Sequence, residues 1–357
     1  MPVPEPDLAS VDEVRMKTVI SPQSPTRLDE LTGLSVSGQE QGEDCLRLAV
    51  FTPGTEGKKP VMIFVHGGAF MAGSGLLPIY DASLLSEETD AVVVTVSYRL
   101  GCFGFLCMPD RGVVNLGVED IACAIRWVRR NVHLFGGDAD NITVAGHSSG
   151  AYCVAQIIAQ EKEPLFRRVY LMSSPLASKT SVEEGRKVTD RFLELLGKDP
   201  AEADVDEMMR AQDALVAERG PRPPFNVVGR SLLKTDHVMP GLETALLTTC
   251  KQDAMPFAPT KVPLVTRVMT WLMFRRPMEA YGRVMTRNGI KVLYLEYDWF
   301  QGEAPYGATH CVDMPVLFGE WEGVREVPML KGVRMDTFEV TQMRTRRLLR
   351  NLLKGKL

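Results

Sequence analysis

Ser148 stands in Gly-His-Ser-Ser-Gly (146–150), where two glycines flank a hydroxyl. A serine so placed can be held out on a sharp turn and attack a carbonyl carbon, given a base for its proton and donors for the oxyanion. The pentapeptide alone is a weak signal, because three small residues in five positions recur by chance. Its flanks add content: NITVA before it is β-rich, and AYCVAQIIAQ after it is an apolar stretch of helix length. Strand, tight turn and helix together expose a nucleophile at a helix N-terminus, where the dipole and free N–H groups favour developing negative charge.

A nucleophile of this kind needs an oxyanion hole. HGGAF (66–70) follows the apolar run VMIFV, and Gly67 and Gly68 let the backbone approach a substrate oxygen with no Cβ in the way. With the N–H of Ser149 they make three donors; read alone, HGG is equally a plain glycine turn. The base must be one of five histidines. His66 belongs to the oxyanion loop, His147 adjoins the serine with its side chain expected to point away, His133 ends a helix, and His237 comes early. His310, in GATHCVDMPVLFG after the run KVLYLEYDW, fits the order nucleophile, acid, base that accompanies such a turn. The acid belongs in the loop after the preceding strand, which selects Asp253 in ETALLTTCKQDAMPF, with Asp236 and Asp298 as alternatives. Pocket walls are sought at Phe70, Met71 and Leu76, and at Met269, Trp271, Met273 and Phe274 in VTRVMTWLMFRRP, whose helical spacing suits an ordinary core equally well.

These groups need a scaffold. Strand-length apolar runs at 46–52, 61–67, 91–98, 141–146, 168–174, 243–249 and 291–299 alternate with helical patterns, the signature of a mostly parallel sheet covered on both faces. Ile121, Ala124, Ile125, Val128 and Val132 share one face of a helix before the serine strand. Residues 181–235 read as a charged, helical, cap-like insertion closed by PRPP, and a solvated structural helix pair fits the same composition. Residues 1–26, with five prolines, read as an N-terminal arm, leaving 27–357 as a single domain.

Net charge −4 with 24% charged residues lacks the basic excess that a nucleic-acid or anionic-membrane partner would need, so a small-molecule partner is expected. The start has no apolar core of a secretory signal, and the longest apolar run (91–96) is far short of the ~20 residues of a membrane span. Seven dispersed cysteines, odd in number and without a C-x-x-C pair, suit reduced thiols and a cytoplasmic protein, in which the sequon at Asn141 stays unmodified.

Taken as a set, GEDCLRLAVFTP (42–53), VMIFVHGGAFMAGSG (61–75), VVVTVSYRLGCFGFL (92–106), NLGVEDIACAIRWVRRNVHLFGGDADNITVAGHSSGA (115–151) and GATHCVDMPVLFG (307–319) resemble the type-B carboxylesterases, the α/β-hydrolases that include cholinesterases and bacterial carboxylesterases. The likeness runs from about Ser21 to the C-terminal helix. It implies an α/β-hydrolase fold with Ser148 as nucleophile, His310 as base and Gly67, Gly68 and Ser149 as oxyanion donors. TTCKQDAMPF looks like a degraded form of the family's GTN-x-DEG-x-x-F segment, whose glutamate is the triad acid; the matching residue is Asp253. The chain is short for the family, reads His147 and Ser149 where Glu and Ala are common, and gives Cys45 no upstream disulfide partner. The expected reaction is cleavage of a carboxylic ester through an acyl-enzyme, with no metal or organic cofactor. Acyl transfer to another acceptor, lactonisation or cyclisation in the same pocket, and a non-catalytic binding role, are the rival readings.

Overall fold

The computed structural model describes residues 18–26, 29, 32–33, 36, 38–220, 222–229, 231–258, 262–300, 302–304 and 306–357. The short strands β1 (Val19–Ile20) and β2 (Glu40–Gln41) pair in parallel. The main sheet contains β3 (Leu48–Phe51), β4 (Lys59–Val65), β5 (Val92–Val96), β6 (Gly137–His147), β7 (Arg168–Met172), β8 (Thr244–Cys250) and β9 (Lys291–Tyr297). Its order is β3-β5-β4-β6-β7-β8-β9, parallel throughout except for antiparallel β3 at one edge. All seven apolar runs read as strands are strands. The reason is visible in β4, which sends Val61, Ile63 and Val65 into one core and Met62 and Phe64 into the other, each fully buried. A strand covered on both faces carries a continuous apolar run rather than an alternating one.

The helices labelled below are α1 (Ser83–Thr89), α2 (Leu116–Asn131), α3 (Ser149–Gln160), α4 (Val182–Leu196), α5 (Val205–Arg219), α6 (Pro263–Thr270), α7 (Arg276–Arg287), α8 (Asp313–Phe318) and α9 (Met335–Leu353). Of the helical face read before the serine strand, Ile121, Ile125 and Val128 are buried in the first core, Ala124 packs against it, and Val132 follows in a 3-10 turn. Helices α4 and α5 each open with a capping box, from Ser181 with Glu184 and from Asp204 with Glu207. Phe192, Met208, Ala211 and Leu215 bury this pair in the first core, and Gln212 Oε1 accepts from Cys102 N at 2.8 Å. The helical insertion therefore packs on the 101–107 segment.

The arm read over residues 1–26 lies outside the described residues as far as residue 17. From Val19 to Gln23 the chain is buried, and the Gln23 carboxamide reaches Gly73, accepting from its N at 2.6 Å and donating to its O at 3.0 Å. Among the described residues no helix is long and apolar enough to cross a membrane.

Candidate active site

In a parallel sheet the strands all end on one side, and the loops leaving neighbouring strands converge there. Strands β4, β6, β7 and β8 are successive neighbours. They deliver, in that order, the His66–Phe70 loop, Ser148, Ser173 and Asp253, and His310 arrives from the loop after β9.

Ser148 has φ 53° and ψ −121°, a backbone state that costs an ordinary side chain roughly 1–3 kcal/mol. What holds it is the close seating of α3. A Cβ on Gly150 would come within 2.2 Å of the His66 carbonyl oxygen, and one on Gly146 within 2.8 Å of Ala151 N. Ser148 N also donates to Met172 O at 2.8 Å. Although Ser148 occupies the N-cap position of α3, its hydroxyl makes no cap bond. Its Oγ lies instead 2.9 Å from His310 Nε2.

On the other side of the ring, His310 Nδ1 is 2.9 Å from Asp253 Oδ1. Asp253 Oδ2 accepts from Cys250 N at 2.8 Å and from Ser173 Oγ at 3.0 Å. Both Asp253 and His310 are fully buried. Burial pushes the Asp253 carboxyl up to about 7, opposed by the two donors, and pushes His310 down to about 3. A neutral imidazole with its proton on Nδ1 then donates to Asp253 and leaves Nε2 to accept the serine proton. Gln252 fixes the meeting of the two loops: its N donates to Ala308 O at 2.9 Å, and its Oε1 accepts from Ala308 N at 3.0 Å.

The glycine loop approaches from β4. A Cβ on Gly67 would stand 3.0 Å from the Cβ of Ser148, and one on Gly68, where φ is +119°, would strike Ala72 O at 1.8 Å. Ala69 and Phe70 also take left-handed φ, 55° and 63°. The Gly68 carbonyl is turned into the loop, accepting from Met71 N and Ala72 N at 3.0 Å each. Ser149 opens α3, so its N–H is one of the donors a helix leaves unpaired.

The remaining histidines fall elsewhere. His66 is fully buried, stacked on Tyr98 at 4.5 Å, and burial holds it down to about 4. His133 is exposed, and exposed His237 places Nε2 2.6 Å from Glu161 O. Of the alternative acids, Asp236 is exposed and Asp298 pairs with Lys251 at 2.5 Å. His147, His310 and Cys311 bring donor atoms within 4.8 Å of one another. Both ring nitrogens of His310 are engaged by Asp253 and Ser148, so His310 has no nitrogen free to complete a ligand set.

Of the wall candidates, Phe274 is buried with its ring 5.1 Å from that of His310. Phe257, which sequence reasoning missed, lies 5.2 Å from the same ring. Phe70 packs into the first core against Phe105 and Tyr152, with Met71 half-buried beside it. Leu76, Met269 and Met273 are half-buried, and Trp271 is 46% exposed under the Arg276 guanidinium. A π turn over Trp271–Arg275 separates α6 from α7 and divides Trp271, facing out, from Phe274, facing in.

Comparison with known proteins bears on family and fold. The Carboxylesterase family profile matches residues 3–218. The probable N-octanoylanthranilate hydrolase of Rhodococcus erythropolis is 34% identical, over 96% of this chain and 83% of its own. The para-nitrobenzyl esterase of Bacillus subtilis is 29% identical, over 80% of this chain and 69% of its own. A solved PNB esterase structure superposes with a TM-score of 0.78 at 26% identity, covering 94% of this chain and 79% of that one. With the profile spanning more than half of the chain and the Rhodococcus relative aligned over nearly all of it, this chain belongs to the carboxylesterase family, with the α/β-hydrolase fold and carboxylic ester hydrolysis as its reaction class.

Proposed function

We propose that the protein cleaves carboxylic esters through an acyl-enzyme on Ser148, with His310 as general base and acid, Asp253 as its carboxylate, and the N–H groups of Gly67, Gly68 and Ser149 as the oxyanion hole. The observation that carries this reading is the unbroken relay from Ser148 Oγ to His310 to Asp253, 2.9 Å at each link. His310 Nε2 takes the hydroxyl proton as Oγ attacks the carbonyl carbon, and the ring becomes an imidazolium whose Nδ1–H stays bonded to Asp253. The oxyanion is met by backbone donors, each of which is worth about 10²–10³ in rate for sites of this kind. The imidazolium returns the proton to the departing alcohol, and the same ring then activates the water that releases the acid.

Substrate class follows from the walls. Phe257 and Phe274 bring two aromatic rings beside the base, which favours a substrate with an apolar portion. The Rhodococcus relative, named for hydrolysis of N-octanoylanthranilate, adds N-acylated aromatic amines to the candidates for this chain, their amine leaving with the same proton from His310. Seven free cysteines support a reducing compartment, for which we take the cytoplasm.

The test is steady-state hydrolysis of p-nitrophenyl esters, acetate through octanoate, by the protein and its Ser148→Ala variant. Turnover falling to background in the variant is the expected result, and the chain-length profile then sizes the acyl site. Equal traces from the two proteins would overturn the assignment.

A further inference from the structure

A second histidine and a second carboxyl lie behind the relay. His147 precedes the nucleophile, Asp313 lies three residues past His310 at the start of α8, and each side chain is 2% exposed. His147 Nε2 and Asp313 Oδ1 are 3.5 Å apart. Among the described residues neither that nitrogen nor either carboxyl oxygen of Asp313 has a hydrogen-bond partner. The ring of His147 in turn lies against that of His310, centroids 4.8 Å apart.

A buried carboxylate that receives no hydrogen bond from another residue, and at most a poor one from its own backbone N–H, does not persist as an anion; it takes up a proton. The acceptor for that proton is the facing lone pair on His147 Nε2. We infer that His147 and Asp313 form a second histidine–carboxyl pair sharing one proton, and that this pair is a positioning device that holds the back of the His310 ring and fails when its proton is lost in alkali. The inference rests on the reading of His310 as the base.

Charges around the pair agree with a single shared proton. Burial, with the Asp253 carboxylate adding to it and its own backbone N–H opposing, raises Asp313 to about 8, while burial and the neighbouring His310 lower His147. The other groups facing Asp313 are Tyr80, Tyr170, Tyr297, Cys250 and Cys311, all pushed upward by burial and so uncharged at neutral pH. Asp253 is then the one anion among these groups, and a proton on Asp313 keeps a second anion away from it. Proton balance is simple: the hydrogen sits on a carboxyl oxygen and is donated to Nε2, and no bond between heavy atoms changes.

The experiment is a pH–rate profile for p-nitrophenyl butyrate hydrolysis by the wild-type protein, Asp313→Ala and Asp313→Asn, with thermal melts as a check on folding. Asparagine donates to Nε2 as the protonated carboxyl does, but cannot titrate. Expected are a roughly tenfold fall in kcat with KM within about twofold for Asp313→Ala, recovery of most of kcat in Asp313→Asn, and loss from Asp313→Asn of an alkaline inflection that the wild type shows above about pH 8. An inflection retained in Asp313→Asn, or equal losses in both variants with the profile unmoved, overturns the inference. If Asp313→Ala does not fold, the Asp313→Asn profile decides alone. Ser148→Ala, run alongside, separates the two failures. Activity surviving in it sinks the esterase reading itself, whereas its loss beside Asp313 variants that behave as wild type sinks this inference only.

Discussion

Asp253 is the residue on which the chemistry of the site is most sensitively balanced. Its charge is opposed by complete burial and supported by donors from Cys250 and Ser173. With its carboxyl raised to about 7, it becomes the anion that His310 needs only as pH rises through that value. The profile of kcat/KM should therefore climb across an acid limb whose apparent pKa, a property of the Asp253–His310 dyad, lies nearer 7 than the ordinary carboxylate value. Asp253→Asn should lower kcat by about 10⁴ with the fold intact, read by ester turnover beside a thermal melt. Ser148, His310 and Asp253 were all legible, because strand, turn and chain order constrain where each must lie. Phe257 was not, since it meets His310 only through a contact across 53 residues of chain. Asp313 was in plain view three residues past His310, and only the buried proximity of His147 gives it meaning.

At the level of elements, the seam between α3 and the end of β4 is the tightest constraint on the site. Gly150 lies so close to Val65 and His66 that an added Cβ would meet their carbonyl oxygens at 2.4 and 2.2 Å. Backbone cannot move aside as the tip of a side chain can, so Gly150→Ala should push α3 off the sheet and carry Ser148 out of reach of His310. A fall of several degrees in Tm with at least a hundredfold loss of kcat is expected, measured by calorimetry and ester turnover. The seven strands of the main sheet were readable because buried parallel strands leave continuous apolar runs. The two-residue strands β1 and β2 were not, being too short for any periodicity. What secures that region is Gln23, a polar side chain reaching 50 residues along the chain to Gly73, and polar reach of that kind leaves no local pattern.

Across the whole molecule, the buried titratable groups set opposing slopes of stability with pH. His66, His147 and His310 have folded pKa values depressed by burial, so the unfolded chain binds more protons below about 6.5, and stability rises with pH towards that value. Asp253 and Asp313 have folded values raised to about 7 and about 8, so the folded chain holds more protons above about 4, and stability falls with pH through those values. Below 6.5 three histidines outweigh two carboxyls; above it only the carboxyls act. The melting temperature should peak near pH 6.5, and Asp313→Asn should flatten the decline between pH 6.5 and 8, both read by calorimetry across buffers of constant ionic strength. The placing of the helical insertion could be read from composition only as far as its helices. Its packing on 101–107 depends on side chains such as Gln212, which composition does not single out.

The π turn between α6 and α7 also bears on how such a chain can change by insertion and deletion. An α-helix advances about 100° per residue, so an extra residue would swing everything beyond it round the axis; absorbed as a π turn, it leaves the helix on either side facing as before. Within the turn Phe274 reaches the His310 ring; beyond it Met278, Tyr281, Val284 and Met285 stay in the core. Loss of a single residue from Trp271–Arg275 would restore an even helix with α7 still seated on the core, and would change which side chain of the turn stands beside His310. The aromatic wall beside His310 is thus one indel from being rewritten, while the sheet whose strands lead to Ser148, Asp253 and His310 would remain as it is.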